Sequence, residues 1–164
     1  MALKLDKQRA LLGCLLVLLA WNAPATAWEG TVTRVLDGDS LRVRQGGELV
    51  TVRLYGIDCP EYGQPQWRNA KVAAGDMIQG KKVGVTPVDT DRYGRVVALV
   101  DYRGRQVNGE LVRRGMAWVY PHYCKAQPLC RTLEELEQQA RDQRLGIWKE
   151  RSPVPPWVWK HGKQ

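Results

Sequence analysis

The chain has 164 residues, with 25 Lys and Arg against 17 Asp and Glu, a formal net charge of +8 and a pI of about 9.5. That length holds one domain, and 44% hydrophobic with 26% charged residues excludes a disordered or collagen-like chain. The positive balance suits a polyanionic partner, although charge alone does not name one.

The first segment is a targeting signal. Lys4, Lys7 and Arg9 form a basic start, residues 10–21 are almost wholly apolar, and Ala25-Thr26-Ala27 supplies an A-x-A cleavage site. The apolar run is shorter than the roughly 20 residues a spanning helix needs, so residues 1–27 read as a cleaved signal peptide. The expectation is an exported protein, periplasmic or secreted, starting at Trp28 and without stable membrane association. Residues 28–150 then form one domain and 151–164 a proline-rich C-terminal tail, in which Trp157 and Trp159 read as packing anchors.

Export also sets the reading of the cysteines. In an oxidising compartment Cys124 and Cys130 are expected to form a disulfide, and Cys59 to be buried and unpaired. A zinc site at the pair competes, but with His122 it falls short of four ligands.

Alternating apolar residues predict strands over 31–36, 40–44 and 49–55, with Asp37-Gly38 and Gln45-Gly46-Gly47 as turns. Trp67, Ala70, Ala74, Met77 and Ile78 recur at helical spacing and predict a helix over 65–78 that ends at Gly80. Strands over 82–88 and 95–101 flank a turn at 91–94, and a short helix over 108–114 stops at Gly115. The last helix is predicted from a Thr132-x-x-Glu135 capping box to Gly146, with Leu133, Leu136 and Ala140 on one face. Five strands and about three helices make an α+β, mainly β protein, a five-stranded OB-fold barrel. That architecture commonly binds oligonucleotides or oligosaccharides.

The chemistry is concentrated in Val52-Arg53-Leu54-Tyr55-Gly56-Ile57-Asp58-Cys59-Pro60-Glu61, with Asp39 upstream in Asp37-Gly38-Asp39-Ser40 and a second arginine downstream in Asp91-Arg92-Tyr93-Gly94-Arg95. Carboxylates hold a hard cation, arginine forks hold a phosphodiester, and one further carboxylate can take a proton from water. Together these are the parts for metal-assisted phosphodiester hydrolysis. Each residue alone has a plainer role: Asp39 capping its turn, Arg53 in a strand ion pair, Asp58 and Glu61 as solvated acids, Arg95 bracing a turn. Order and spacing together favour the site.

These motifs, followed by Val107-Asn108-Gly109-Glu110-Leu111-Val112-Arg113-Arg114-Gly115, resemble the staphylococcal nuclease (thermonuclease) family over about residues 30–148. The resemblance implies a Ca²⁺ ion held by Asp39, Asp58 and the backbone carbonyl of Cys59. It implies Glu61 as general base, Arg53 and Arg95 as phosphate-binding catalytic arginines, and Arg92 and Tyr93 as substrate-binding residues. Either Tyr120 or Tyr123 corresponds to the nucleotide-stacking tyrosine. The implied function is a calcium-dependent nuclease acting on DNA and/or RNA; a monomer is the default expectation, and a barrel groove with stacking residues favours single-stranded or melted substrate. Cleavage of the 5′ P–O bond would leave 3′-phosphates. A non-catalytic nucleic-acid-binding OB module is the alternative, and an oligosaccharide binder would need neither the carboxylates nor so many arginines.

Overall fold

Leu41 and Val43 of the predicted second strand and Val52 and Leu54 of the third are buried in the computed structural model, which describes residues 26–162. Val32 and Val35, on opposite faces of a strictly alternating first strand, are both buried because the register shifts between Val32 and Arg34. The predicted signal segment lies almost entirely outside the described residues. Strands β1 (Trp28–Val35), β2 (Ser40–Gln45) and β3 (Glu48–Leu54) form an antiparallel meander. β1 also pairs with β5 (Lys82–Thr90), and β5 with β6 (Val96–Tyr102), both antiparallel. A parallel pairing of β6 with β3, Arg53 opposite Val97, closes the five strands into a barrel and leaves no open edge between them.

Helix α1 (Trp67–Ile78) lays Ala70, Ala74 and Ile78 against the barrel. It begins two residues later than predicted because Gln66 sits at φ 67°, outside the helical region. A two-residue pair, β4 (Ile57–Asp58) with β8 (Trp118–Val119), was not predicted; strands that short carry no periodicity. β7 (Arg105–Gln106) pairs with β6 and leads into α2 (Val107–Arg113). No helix among the described residues is long and apolar enough to cross a membrane.

Inside α2, Glu110 accepts hydrogen bonds from Arg113 at 2.7 and 2.9 Å and from Arg114 at 2.7 Å. The Arg113 bonds, then those of Arg114, hold its carboxyl down to about 2, against some opposition from burial. A carboxylate whose folded value lies below its unfolded 4.5 adds stability above that pH, and the contribution fades as pH falls towards 2. Glu110→Gln is therefore expected to flatten the acid limb of stability between about pH 4.5 and 2. Urea midpoints of both chains across that window check it; parallel limbs would refute it.

Helix α3 (Leu129–Asp142) departs from its predicted bounds at both ends. It starts before Thr132, whose hydroxyl donates to Pro128 O at 3.4 Å inside the first turn instead of capping it. Cys130 in that turn is joined to Cys124 by a disulfide, and Cys59 is buried and free, as expected. The helix ends before Gly146 because Arg144, at φ 51°, takes the left-handed position and Leu145 N–H donates to Ala140 O at 2.9 Å. Gly146 serves another purpose. It opens a 3₁₀ turn, Gly146–Lys149, and packs backbone to backbone on Gly115, where a side chain on either residue would collide with the other segment.

The predicted irregular tail also needs correction. Pro156–His161 forms a short helix, α4, with Pro155 extended before it and Pro156 at its first position, where a missing N–H costs nothing. Trp157 joins a small second cluster of Trp118, Ala140, Ile147 and Trp148.

Candidate active site

Asp39 and Asp58 are buried, on the turn before β2 and on β4 respectively, and both face Arg53 near the end of β3. Arg53 Nη1 is ion-paired with Asp39 Oδ1, while Nη2 donates to Asp58 Oδ1 at 2.6 Å and to Ile57 O at 3.1 Å. Two buried carboxylates need a counter-charge, and the guanidinium supplies it. Asp39 Oδ2 accepts the Cys59 N–H at 2.6 Å, and Oδ1 accepts the Ser40 hydroxyl at 3.3 Å. This locks the 37–40 turn to the 57–61 segment. Asp58 Oδ2 is buried and without a hydrogen-bond partner. Burial raises the Asp58 carboxyl above its ordinary value, although Arg53 and Lys160 pull it down.

Glu61 follows on a turn closed by Gln64, whose N–H donates to Glu61 O and whose Oε1 accepts Glu61 N–H, both at 2.9 Å. Gln64 Nε2 then donates to Val154 O at 2.6 Å, tying the acidic segment to the C-terminal stretch. From α4, Lys160 Nζ lies 2.8 Å from Glu61 Oε1 and 3.8 Å from Asp58 Oδ2. One cationic point thus sits between the two carboxylates.

Arg95 enters from the turn before β6. Its Nε donates to Asp91 Oδ2 at 2.7 Å and its backbone N–H to Asp91 Oδ1 at 3.0 Å; Nη1 makes a long contact to Ser40 Oγ at 3.5 Å. Partial burial raises Asp91, but the hydrogen bonds from Arg95 and from the Tyr93 N–H outweigh it and hold the carboxyl below its usual value. Asp91 therefore fixes one edge of the guanidinium, and the outer edge, where Nη2 has no hydrogen-bond partner among the described residues, can turn to an anion. Arg92 donates to the Tyr93 hydroxyl at 2.7 Å and lies 4.8 Å from that ring's centre, with Tyr93 well exposed.

Tyr120 stacks on Trp157 of α4, ring centres 4.6 Å apart and nearly parallel, and meets Tyr123 edge-on at 4.9 Å. Both candidate stacking tyrosines are in one cluster. Sequence reasoning missed Gln64 and Lys160 in this neighbourhood; it read Trp157 as a packing anchor, which it is, without its partner Tyr120.

The donor set fits a hard cation: two carboxylates, one with an orphaned buried oxygen, and a neighbouring main-chain carbonyl. Among the described residues no cluster of three metal-ligating side chains occurs, so a cation here would take its other ligands from backbone, water and substrate.

Residues 51–150 match the family model for staphylococcal nuclease homologues. The chain is 39% identical to an "Uncharacterized endonuclease" of Escherichia coli over 90% of its own length and 95% of that protein's. It is 37% identical to a "Micrococcal nuclease" of Shigella flexneri over 90% of each. A third relative, "Protein ParB" of Escherichia coli, is 36% identical over 88% of this chain and 86% of its own.

Proposed function

This chain belongs to the staphylococcal nuclease family and is a nuclease that hydrolyses nucleic acid; from that premise we propose a calcium-dependent mechanism centred on Asp39, Asp58, Glu61, Arg53 and Arg95. The observation that carries it is the convergence of Glu61 and Asp58 on one cationic point beside the Arg53-held carboxylate pair. Asp39, Asp58 and the Cys59 carbonyl would hold a Ca²⁺ ion, which neutralises charge on the phosphoryl oxygens when bound.

The chain's own residues do the rest. Glu61, half exposed and anchored at its backbone by Gln64, takes the proton of the attacking water. Arg95, braced by Asp91, turns its free edge to the phosphate and offers fixed donors to the charge that develops there. Arg53 spends its fork on Asp39 and Asp58, so its first effect is to hold both carboxylates in register, with phosphate contact through its remaining donor capacity. Arg92, Tyr93 and the Tyr120–Tyr123 cluster lie where unpaired bases can stack, which favours single-stranded or melted DNA or RNA. The Cys124–Cys130 bridge suits export to an oxidising compartment, and we propose that the chain works there as a monomer.

The test is cleavage of denatured DNA and of RNA by the chain starting at Trp28, with calcium, magnesium or excess chelator, alongside thermal melts with and without calcium. Expected are calcium-dependent cleavage abolished by chelator and an upward melting shift with calcium, from binding to the native state alone. Binding without cleavage under every metal would replace the enzyme by a nucleic-acid-binding module.

A further inference from the structure

Three arginines outside the site, Arg34, Arg42 and Arg44, are exposed, and none has an ion pair or side-chain hydrogen bond among the described residues. They share one outward face. On β2, Arg42 and Arg44 alternate with buried Leu41 and Val43. On β1, a register shift between Val32 and Arg34 sets Arg34 directly opposite Arg42. Like charges facing each other across a sheet are destabilising, and here no acid relieves them. Of the acids on the flanking strands, Glu29 pairs with Lys82 at 2.7 Å and Glu48 makes no ion pair with these arginines among the described residues, while Asp91 holds Arg95.

The row continues into the catalytic neighbourhood. Arg42 pairs with Thr51 of β3. The parallel pairing sets Arg53 opposite Val97, so Arg95, two residues before Val97, aligns with Thr51, two residues before Arg53. Arg34, Arg42, Thr51 and Arg95 therefore cross four neighbouring chain segments in one line, and Arg44 lies on the adjacent row. Followed along the curved barrel wall at strand spacing, the row runs roughly 14 Å. Its other outward residues, Thr31, Thr51 and Leu49, offer no aromatic ring for a base.

We propose that Arg34, Arg42 and Arg44 form a second phosphate-binding track, which holds the nucleic-acid strand beyond the cleaved bond on the outer face of β1 and β2. This rests on the nuclease reading of the Arg95 end of the row. The track contacts backbone phosphates and not bases, so it adds affinity for longer substrates without sequence preference. It also accounts for an unrelieved like-charge pair on neighbouring strands: the phosphates supply the missing negative charge.

The test compares the parent chain, Arg34→Gln/Arg42→Gln/Arg44→Gln, and a control with the same charge change at the C-terminal end, Arg131→Gln/Arg144→Gln/Lys149→Gln. Binding of a twelve-nucleotide single strand is followed by fluorescence anisotropy in chelator across a salt series. Cleavage of that strand and of a dinucleotide-length phosphodiester is followed in calcium. The track variant is expected to bind the long strand at least tenfold more weakly, with its log–log salt slope reduced by about 2, since each lost single-strand phosphate contact removes about 0.7. Its kcat/KM on the short substrate should stay within twofold of the parent, and the control should bind the long strand within about threefold of the parent. Equal losses in the two triple variants would reduce the effect to net charge and overturn the track. So would unchanged binding, or equal losses on short and long substrates. Absence of cleavage by the parent would instead overturn the nuclease mechanism, while the binding series would still decide the track.

Discussion

Arg95→Ala and Glu61→Ala are each expected to lower kcat by at least a hundredfold while the chain stays folded. A hundredfold corresponds to about 3 kcal/mol of transition-state stabilisation, the usual loss when one fixed donor to a developing oxyanion or one positioned base is removed. The geometry concentrates the effect in kcat. Arg95 is held from behind by Asp91, so its free edge is already oriented and loses little on meeting the charge of the transition state. Glu61 is held through its backbone by Gln64, and among the described residues its carboxylate makes a single ion pair, with Lys160. Arg95→Lys is expected to recover little, because a point charge does not reproduce the planar fork. Neither side chain is in the core, so melting temperatures should stay close to the parent's. Steady-state kinetics on denatured DNA with calcium decide it; near-parental turnover in folded Arg95→Ala would remove Arg95 from the mechanism.

The parts of this protein that a sequence reveals are those whose cause is local. Leu41, Val43, Val52 and Leu54 alternate because one face of each strand meets the core, and that alternation, with a helix between the third and fourth strands, pointed to the barrel. Thr132 and Glu135 misled because a capping-box pattern also occurs inside a helix, where Thr132 bonds back to Pro128. Arg144 ended α3 ahead of the glycine that was expected to do so, a choice made by the contact between Gly146 and Gly115 across the fold. The candidate site shows the same division. Asp39, Arg53, Asp58, Glu61 and Arg95 were legible through spacing, but the engagement of Arg53 with both carboxylates follows from their burial, which no motif records. Lys160 and Trp157 reach Glu61 and Tyr120 from about a hundred and about forty residues away in sequence. A two-turn helix in a proline-rich stretch gives no sign of that destination.

Asn108→Ala is expected to be among the most destabilising single changes in the chain, about 3 kcal/mol or more, although Asn108 touches no proposed catalytic group. It is fully buried at the start of α2, and both its amide N–H donors and its carbonyl oxygen are engaged. Its Oδ1 accepts the Val100 N–H at 3.1 Å, and its Nδ2 donates to Tyr55 O at 3.0 Å and Ala98 O at 3.2 Å. Those partners belong to β6 and to the chain leaving β3, the two segments whose parallel pairing closes the barrel. Alanine would leave a buried N–H and two carbonyl positions unsatisfied, each costing about 1–3 kcal/mol, with only partial relief where Tyr55 N–H already donates to Ala98 O at 2.8 Å. Asn108→Asp should be no better at neutral pH, since a carboxylate cannot donate to either carbonyl. Tyr55 also receives the Lys125 and Ala126 N–H groups on its hydroxyl, at 2.9 and 3.0 Å, so loosening it reaches both the disulfide loop and the Asp58 segment that follows. The expected signature is a melting temperature lower by roughly 10 °C, with kcat at low temperature within a few-fold of the parent. Urea denaturation and turnover measured on the same preparation separate the two: a loss below about 1 kcal/mol would mean that water enters and replaces the amide, and an early loss of turnover would mean that the barrel seam positions Asp58 directly.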